Sequence, residues 1–528
     1  MKKLSPEQVI KKFQKLKGER STWEEHWQEI ADFIIPRKDI TRQTTAGTKR
    51  NVDLLDNTAV LSNELLAGAL QGMLTNPNGE WFEFTTGDAQ LDEEDEVRKW
   101  LQQTATDVHG VLNNSNFQTE VHEMYLDLTG FGTAPMSVEE DDESVVMFAS
   151  RPLADVYVDE DSKGRINQLY RCIRWSVDQI VQEFGENSLP RKLRQEYDKG
   201  DTDTKYEVIH AVYAGDRTPF KFYSQYILVC EKHELHSGGY REFPYVVPRW
   251  VKTNKEKYGR SPGMNALPEA KTLNVMMDTT IRGAQKVVDP PIQVPDDGFL
   301  LPILTKPGGL NYYRAGTTDR AEPIFNDAKV DFGFQLIEMK KKQIREAFYV
   351  DQLKLQQDGP QMTATEVLQR TEEAMRLLGP MLGRLQSEFL RPLIDRVFEI
   401  MMRKNKVRPV PVQLRGRVID VKYSSLIAKS QRISEGQNIM RTLQAIEPFY
   451  NIDPNVRDNL NGDVAARKLG RIYGCPQEIF RDKKEIDDIR EKRAQAQQEQ
   501  LQAQNQQMQA EQAAKVLPAV AKAQKATG

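Results

Sequence analysis

Cysteine is scarce in this sequence. Cys172, Cys230 and Cys475 are the only three in 528 residues, and they lie far apart. That excludes a disulfide framework and points to a reducing compartment. Long apolar runs are missing too. No stretch approaches the ~18 residues needed to cross a bilayer, and mean hydropathy is −0.62. The opening MKKLSPEQVIKKFQKLKGER has basic residues without an apolar core, so no secretory leader is expected. An excess of positive charge is also lacking, with 73 basic against 77 acidic residues and a net charge of −4. Proteins that coat nucleic acid electrostatically carry a basic excess, so that class is excluded. What remains is a large soluble protein, intracellular or of a virion, with two to four domains.

Catalytic signatures are absent as well. The sequence contains no G-x-x-x-x-G-K-[ST], no H-E-x-x-H and no G-x-S-x-G. One spacing resembles a metal site, Cys230-x-x-His233-x-x-His236. A thiolate and two imidazoles can begin a zinc site, and a metal-dependent nuclease would be the enzyme reading. However, side chains alternate across a strand, which puts His233 opposite Cys230 and His236, and no fourth ligand is evident. No catalytic residue, metal or cofactor is therefore expected.

What the chain does have is a change of periodicity along its length. Residues 5–35 read as a helix through Phe13, Leu16, Trp23, Trp27, Ile30 and Ile34, ended by Pro36. A second helix runs from Asp56 to Met73, with Val60, Leu61, Leu65, Leu66, Leu70 and Met73 assigned to one side. A turn at Asn76–Gly79 and a strand at WFEFTT follow, and residues 92–135 read as helix. Residues 136–250 alternate instead, as short β runs with one helix at Val177 to Phe184. The acidic cluster Glu139–Glu143 is expected in a solvated turn. Helix returns from Gly259, with Pro262 in its first turn, and continues to Asp289. A Pro- and Gly-rich module covers Pro290 to Phe325, and helix resumes from Asp331 to Val350.

The stretch GPQMTATEVLQRTEE then turns a polar loop into the longest apolar stripe of the chain. Thr363 and Glu366 form a capping box. Beyond them Leu378, Met381, Leu382, Leu385, Phe389, Leu393, Val397, Ile400 and Met401 predict a helix about 60 Å long. Gly379-Pro380 and Pro392 should kink it. Short β signals follow in 405–422, then two or three helices in 424–470, broken near Pro448 and Pro454. From Gln495 to Gln512, ten of the 18 residues are Gln. Without an apolar heptad that tail is either disordered or a helix held by neighbouring copies. Basic candidates for DNA or partner contact are Lys340, Lys341, Lys342 and Arg345, and the group Arg403, Lys404, Lys406, Arg408, Arg415 and Arg417. A solvated face is the plainer reading for the first set; for the second, DNA, an acidic neighbour and a solvated face stand equal.

LSNELLAGALQGMLTNPNGEWFEF near the start, YGRSPGMNALPEAKTLN (Tyr258–Asn274), and TATEVLQRTEE with LQSEFLRPLIDRVFEIM carry a resemblance. In this order, roughly Glu19 to Arg493 resembles the portal, or head-to-tail connector, family of short-tailed bacteriophages. The resemblance implies an α+β, mainly helical portal fold with wing, stem, clip and crown regions, assembled as a ring around an axial channel. By order, the wing is 1–258, with a helical part and a β-rich part at 136–250. Stem helices are 259–289 and 327–350, with the clip at 290–326 between them. The tunnel loop is 351–362, the long kinked helix 363–404, the crown 405–493 and the Gln-rich tail 494–528.

The function so implied is a dodecameric ring at one capsid vertex, through which the terminase motor packages double-stranded DNA and through which DNA is later ejected. Implied partners are the major capsid protein and scaffold, the terminase large subunit, a tail adaptor and the DNA, without membrane insertion. The implied location is the virion, and the host cytoplasm during assembly. Gln352, Lys354, Gln356, Gln357 and Asp358 become channel-loop candidates. This mixed set suits sliding, because affinity for DNA grows with the number of cations engaged. Another structural phage protein, a tail adaptor or scaffold, is the alternative.

Overall fold

The computed structural model describes residues 2–42, 47–49, 54–92, 94–200, 202–216, 219–294, 330–353, 378–417, 419–423, 426–448, 460–473 and 485–503, with short pieces at 303–304, 310–312, 316, 322–323, 475 and 479–481. The chain forms two compact units, Met1–Trp81 with Thr106–Val407, and Phe82–Ala105 with Arg408–Gly528.

The first unit begins with α1, Pro6–Phe33. Ser5 caps it, Gln8 completes the capping box, and Pro6 takes the first turn. Its apolar face meets a five-stranded sheet of β3 (Val156–Glu160), β4 (Ile166–Ser176), β5 (Lys205–Ala214), β6 (Phe222–Leu228) and β7 (His233–Tyr240). Every neighbour is the next strand in sequence, and every pairing is antiparallel. Alternation sorts the two faces. Ile209, Ala211 and Tyr213 turn to Val9, Ile10, Phe13 and Leu16 of α1. Val208 and Leu228 turn the other way, to Val177 and Ile180 of α4 (Val177–Phe184) and Leu193 of α5 (Arg191–Asp198). The helix at 177–184 is where the sequence puts it, capped by Ser176 and Gln179. α5 is not anticipated, because RKLRQEYD offers one buried apolar residue, Leu193.

The helices of this unit surround Trp27, which is fully buried and donates its indole N–H to the Phe131 carbonyl at 3.1 Å. α2 (Thr58–Leu74) and α3 (Phe117–Phe131) pack together. The apolar set of α2 is split, contrary to the sequence reading. Leu66 and Leu70 are buried, whereas Leu61 and Leu65 are exposed. Five residues from 61 to 66 rotate a helix by ~140° beyond a full turn, so one side cannot hold both. The 92–135 region is also divided, into Ala89–Asp92, Asp95–Asn114 and α3. The break at Asn116 has a cause in packing. Its side chain accepts from the Phe148 N–H at 2.9 Å and donates to the Phe148 carbonyl at 2.7 Å. Phe148 lies on β2 (Val145–Ser150), which pairs with β1 (Met136–Asp141), itself paired with β8 (Tyr245–Val246).

α6 (Pro262–Val288) starts from Ser261, whose hydroxyl accepts from the Met264 N–H at 3.0 Å and donates to the Gly130 carbonyl at 2.5 Å. The Gly259 and Gly132 backbones press on each other, and Gly132 ends α3 at φ +84°. YGRSPG therefore packs backbone against backbone. α7 (Val330–Ala347) packs along α6, and between them Ile292–Gln293 pairs antiparallel with Glu322–Pro323. Val350–Leu353 adds one short turn of helix.

The long helix is described from residue 378. It runs as α-helix to 385, as a π-turn at Gln386–Leu390, and as α-helix again at Arg391–Arg403. Met381, Leu385, Phe389, Leu393, Val397 and Met401 are all buried at a constant spacing of four. In a regular α-helix each such step drifts ~40°, or ~200° over the run. The extra residue of a π-turn takes back ~100° and keeps the stripe on one side. The irregularity thus lies ahead of Pro392. Gly379-Pro380 stands at the edge of the described residues, and the capping box Thr363 and Glu366 lies outside them.

In the second unit, strand Phe82–Thr85 pairs antiparallel with Asp420–Tyr423. Trp100 donates to the Arg408 carbonyl at 3.2 Å, and Arg467 pairs with Asp95 at 3.0 Å. Helices Leu426–Ile446 and Gly462–Ile472 pack together. Residues 485–503 are helical and exposed over most of their length. Beyond 503 the tail lies outside the described residues.

Candidate functional site

The basic candidates on α7 are tied to neighbouring acids. Lys340 meets Glu269 of α6 at 2.5 Å, Lys341 meets Asp56 at 3.2 Å, and Lys342 lies 3.8 Å from Glu346 one turn on. Arg345 is half-buried on the same helix. At the end of the long helix, Arg403 and Lys404 sit against the acidic hairpin. Arg403 holds Glu140 and Glu242, while Lys404 reaches the Asp141 carbonyl and lies 3.3 Å from Asp142. The Glu139–Glu143 cluster is only in part the expected turn: Glu139, Glu140 and Asp141 end strand β1, and Asp142 and Glu143 make the turn into β2. Asp141 caps that turn, accepting from the Ser144 N–H at 2.7 Å and from the Glu143 N–H at 3.1 Å. These bonds, those from Ser144 foremost, hold its carboxyl below the usual range. In the second unit Arg408 donates to Gln103 at 2.8 Å.

Of the channel-loop candidates, Gln352 is described. It is exposed in the short helix Val350–Leu353, and its N–H donates to the Tyr349 carbonyl at 3.2 Å. Lys354, Gln356, Gln357 and Asp358 lie outside the described residues. The cysteine and histidines diverge. Cys230 is exposed in the β6–β7 turn, His233 bonds the Ser188 carbonyl at 3.1 Å, and His236 stacks on Phe184 at 5.7 Å. Among the described residues no cluster of three His, Cys, Asp or Glu side chains is placed to hold a metal ion, and no helix is long and apolar enough to cross a membrane.

Three buried arginines that the sequence reading passed over hold the first unit together. Arg20 of α1 donates to the carbonyls of Leu153, Ala154 and Val156 at 2.7–2.8 Å and lies over the Tyr157 ring at 3.7 Å. Arg396 reaches the Val138 carbonyl at 2.7 Å. Arg249, 1% exposed, binds Glu388 of the π-turn through Nη2 at 2.7 Å and Nε at 3.0 Å. It also pairs with Glu160, and donates to the carbonyls of Gly164 at 3.0 Å and Lys257 at 3.1 Å. A guanidinium fork suits such multidentate bonding. The visible signal was a charge inside an apolar run, VVPRW, but its partners lie 89 and 139 residues away.

A cavity of about 280 Å³ is lined in part by Lys38, Asp127, Glu123 and Phe131. Burial raises the Asp127 carboxyl, against the opposing pull of Lys38 at 2.6 Å. Its charges are paired internally, with Glu123 shared between Lys38 and Arg37.

These charged groups fasten distant segments of the first unit to one another. The family model for the bacteriophage head to tail connecting protein matches residues 6–480, and the chain belongs to that family of structural, non-enzymatic virion proteins, the portal proteins. It is 31% identical over 509 residues to the probable portal protein of Bordetella phage BPP-1, covering 93% of this chain and 91% of that one. It is 29% identical over 516 residues to the portal protein of Salmonella phage epsilon15, covering 94% and 93%. A solved structure titled as the neck of an empty GTA particle, computed with C6 symmetry, aligns at 11% identity with a TM-score of 0.36. It covers 82% of this chain and 99% of that one.

Proposed function

We propose that this portal protein assembles as a dodecameric ring at one capsid vertex, with genomic DNA passing through its axial channel. The observation that carries the reading is the family match over residues 6–480. The arrangement of α6 and α7 supports it. The two helices pack together, and the segment between them is closed by the pairing of Ile292–Gln293 with Glu322–Pro323. A stem hairpin with a clip at 290–326 has this form. In this reading the clip faces the terminase large subunit during packaging and a tail adaptor afterwards. The wing, 1–258, meets the capsid protein and scaffold. Residues 351–362 line the channel, 405–493 build the crown, and a closed ring repeats one head-to-tail contact.

The test is electron microscopy of the purified full chain, averaged down the particle axis. Twelve-fold rings with a central hole are expected. Monomers, or open filaments, would overturn the reading. Deleting Gly298–Gly316 separates the parts, since the reading expects impaired ring assembly or terminase docking. Normal rings that package DNA normally would remove the clip assignment.

A further inference from the structure

The π-turn Gln386–Leu390 lies directly before Arg391–Arg403. Two independent features meet there. Pro392 has no N–H to offer the carbonyl four residues back, and its ring crowds that carbonyl. Four residues back is Glu388. A widened turn relieves the crowding but leaves the hydrogen-bond ladder weak at this point. The Glu388 side chain meanwhile leaves the helix for the buried Arg249. Its two oxygens accept from Nη2 at 2.7 Å and Nε at 3.0 Å, and the second also accepts from the Arg249 backbone N–H at 3.1 Å. Arg384, one turn earlier, adds a contact at 3.0 Å. Arg249 is bonded at the same time to Glu160 at the end of β3, to the Gly164 carbonyl in the next turn, and to the Lys257 carbonyl ahead of α6. At 1% exposure, water does not compete for it.

We propose that this π-turn is a hinge in the long helix and that the Arg249–Glu388 fork is the latch that fixes it. The weakened ladder does not set the angle between residues 378–385 and Arg391–Arg403; the fork does. Movement of the β3 end or of the segment ahead of α6 is then passed through Arg249 to the long helix.

Amide hydrogen exchange on the purified full chain, in its assembled form, tests this. Glu388→Gln keeps the shape but loses the charge and one of the two accepting oxygens, and Arg249→Lys keeps the charge but loses the fork. Both should speed exchange across residues 386–391 at least tenfold and leave the five-stranded sheet unchanged. Adding Pro392→Ala to Glu388→Gln restores an N–H to the ladder and should slow exchange again. Pro392→Ala alone is the control, because an added N–H steadies any helix; the slowing must be larger in the Glu388→Gln background. Unchanged exchange in both single variants overturns the proposal, as does failure of the rescue. Faster exchange through the sheet also overturns it, because the loss is then of the whole β-subdomain.

Discussion

Arg403 holds Glu140 through two nitrogens, Nε at 3.0 Å and Nη2 at 2.6 Å, across 263 residues of sequence. Its third contact, Nη1 to Glu242 at 2.9 Å, ties the same side chain to the loop ahead of β8. Both acids are partly solvated, so the pairs are worth less than buried ones. Arg403→Met should lower unfolding stability by about 1 kcal/mol, read as a shift of the denaturant midpoint. Retention of DNA should match the parent protein. A specific loss of DNA retention with unchanged stability would instead assign Arg403 to DNA.

His210 is buried between the Tyr245 hydroxyl at 2.9 Å and the Ser224 hydroxyl at 3.0 Å, with Tyr226 stacked at 4.0 Å. Burial, helped by Arg171, Arg151 and His236, lowers its pKa to about 3. The folded value is below the ordinary ~6.5, so the unfolded chain binds the extra proton between them. This group's contribution is complete above pH ~6.5 and is lost as pH falls, by up to ~1.4 kcal/mol per unit. His210→Gln should flatten the stability profile between pH 6 and 4, measured by chemical unfolding. A profile as steep as the parent's would place the acid sensitivity in other groups.

Gly132 combines a left-handed φ of +84° with direct pressure from the Gly259 backbone. A methyl group there meets a peptide that cannot step aside. Gly132→Ala should cost about 2–4 kcal/mol, from left-handed strain and overpacking together. Thermal unfolding measures it. Gly68→Ala is the control, because nothing lies within 4 Å of a Cβ there, and it should be neutral or slightly stabilising.

The channel assignment of 351–362 has its own test. Replacing Gln356, Gln357 and Asp358 with Lys puts three cations on each subunit, multiplied around a ring. Each phosphate contact strengthens and salt-sensitises DNA binding. Packaging or ejection should slow, most at low salt, where screening is weakest. Rates unchanged at every ionic strength, from rings seen intact, would mean that these residues do not face DNA.

Much of the fold follows from local sequence. Period two or period three-and-four separates the β-rich third from its helical flanks, because each pattern leaves one apolar face in only one geometry. Caps mark the starts, as Ser5 with Gln8 and Ser176 with Gln179 do for α1 and α4. Motif order carries the family, since YGRSPG, the helices α6 and α7 and the long stripe follow one another in one chain. What the tertiary structure decided are the partners of charged side chains. Nothing near Arg249 in sequence predicts Glu388, and nothing near Arg403 predicts Glu140. Packing decided the break at Asn116, whose amide is taken by Phe148, and the split of α2, whose Leu61 and Leu65 stay exposed. Sequence periodicity reports which side of an element is apolar; which distant group meets a buried charge depends on the path of the whole chain, which no local pattern encodes.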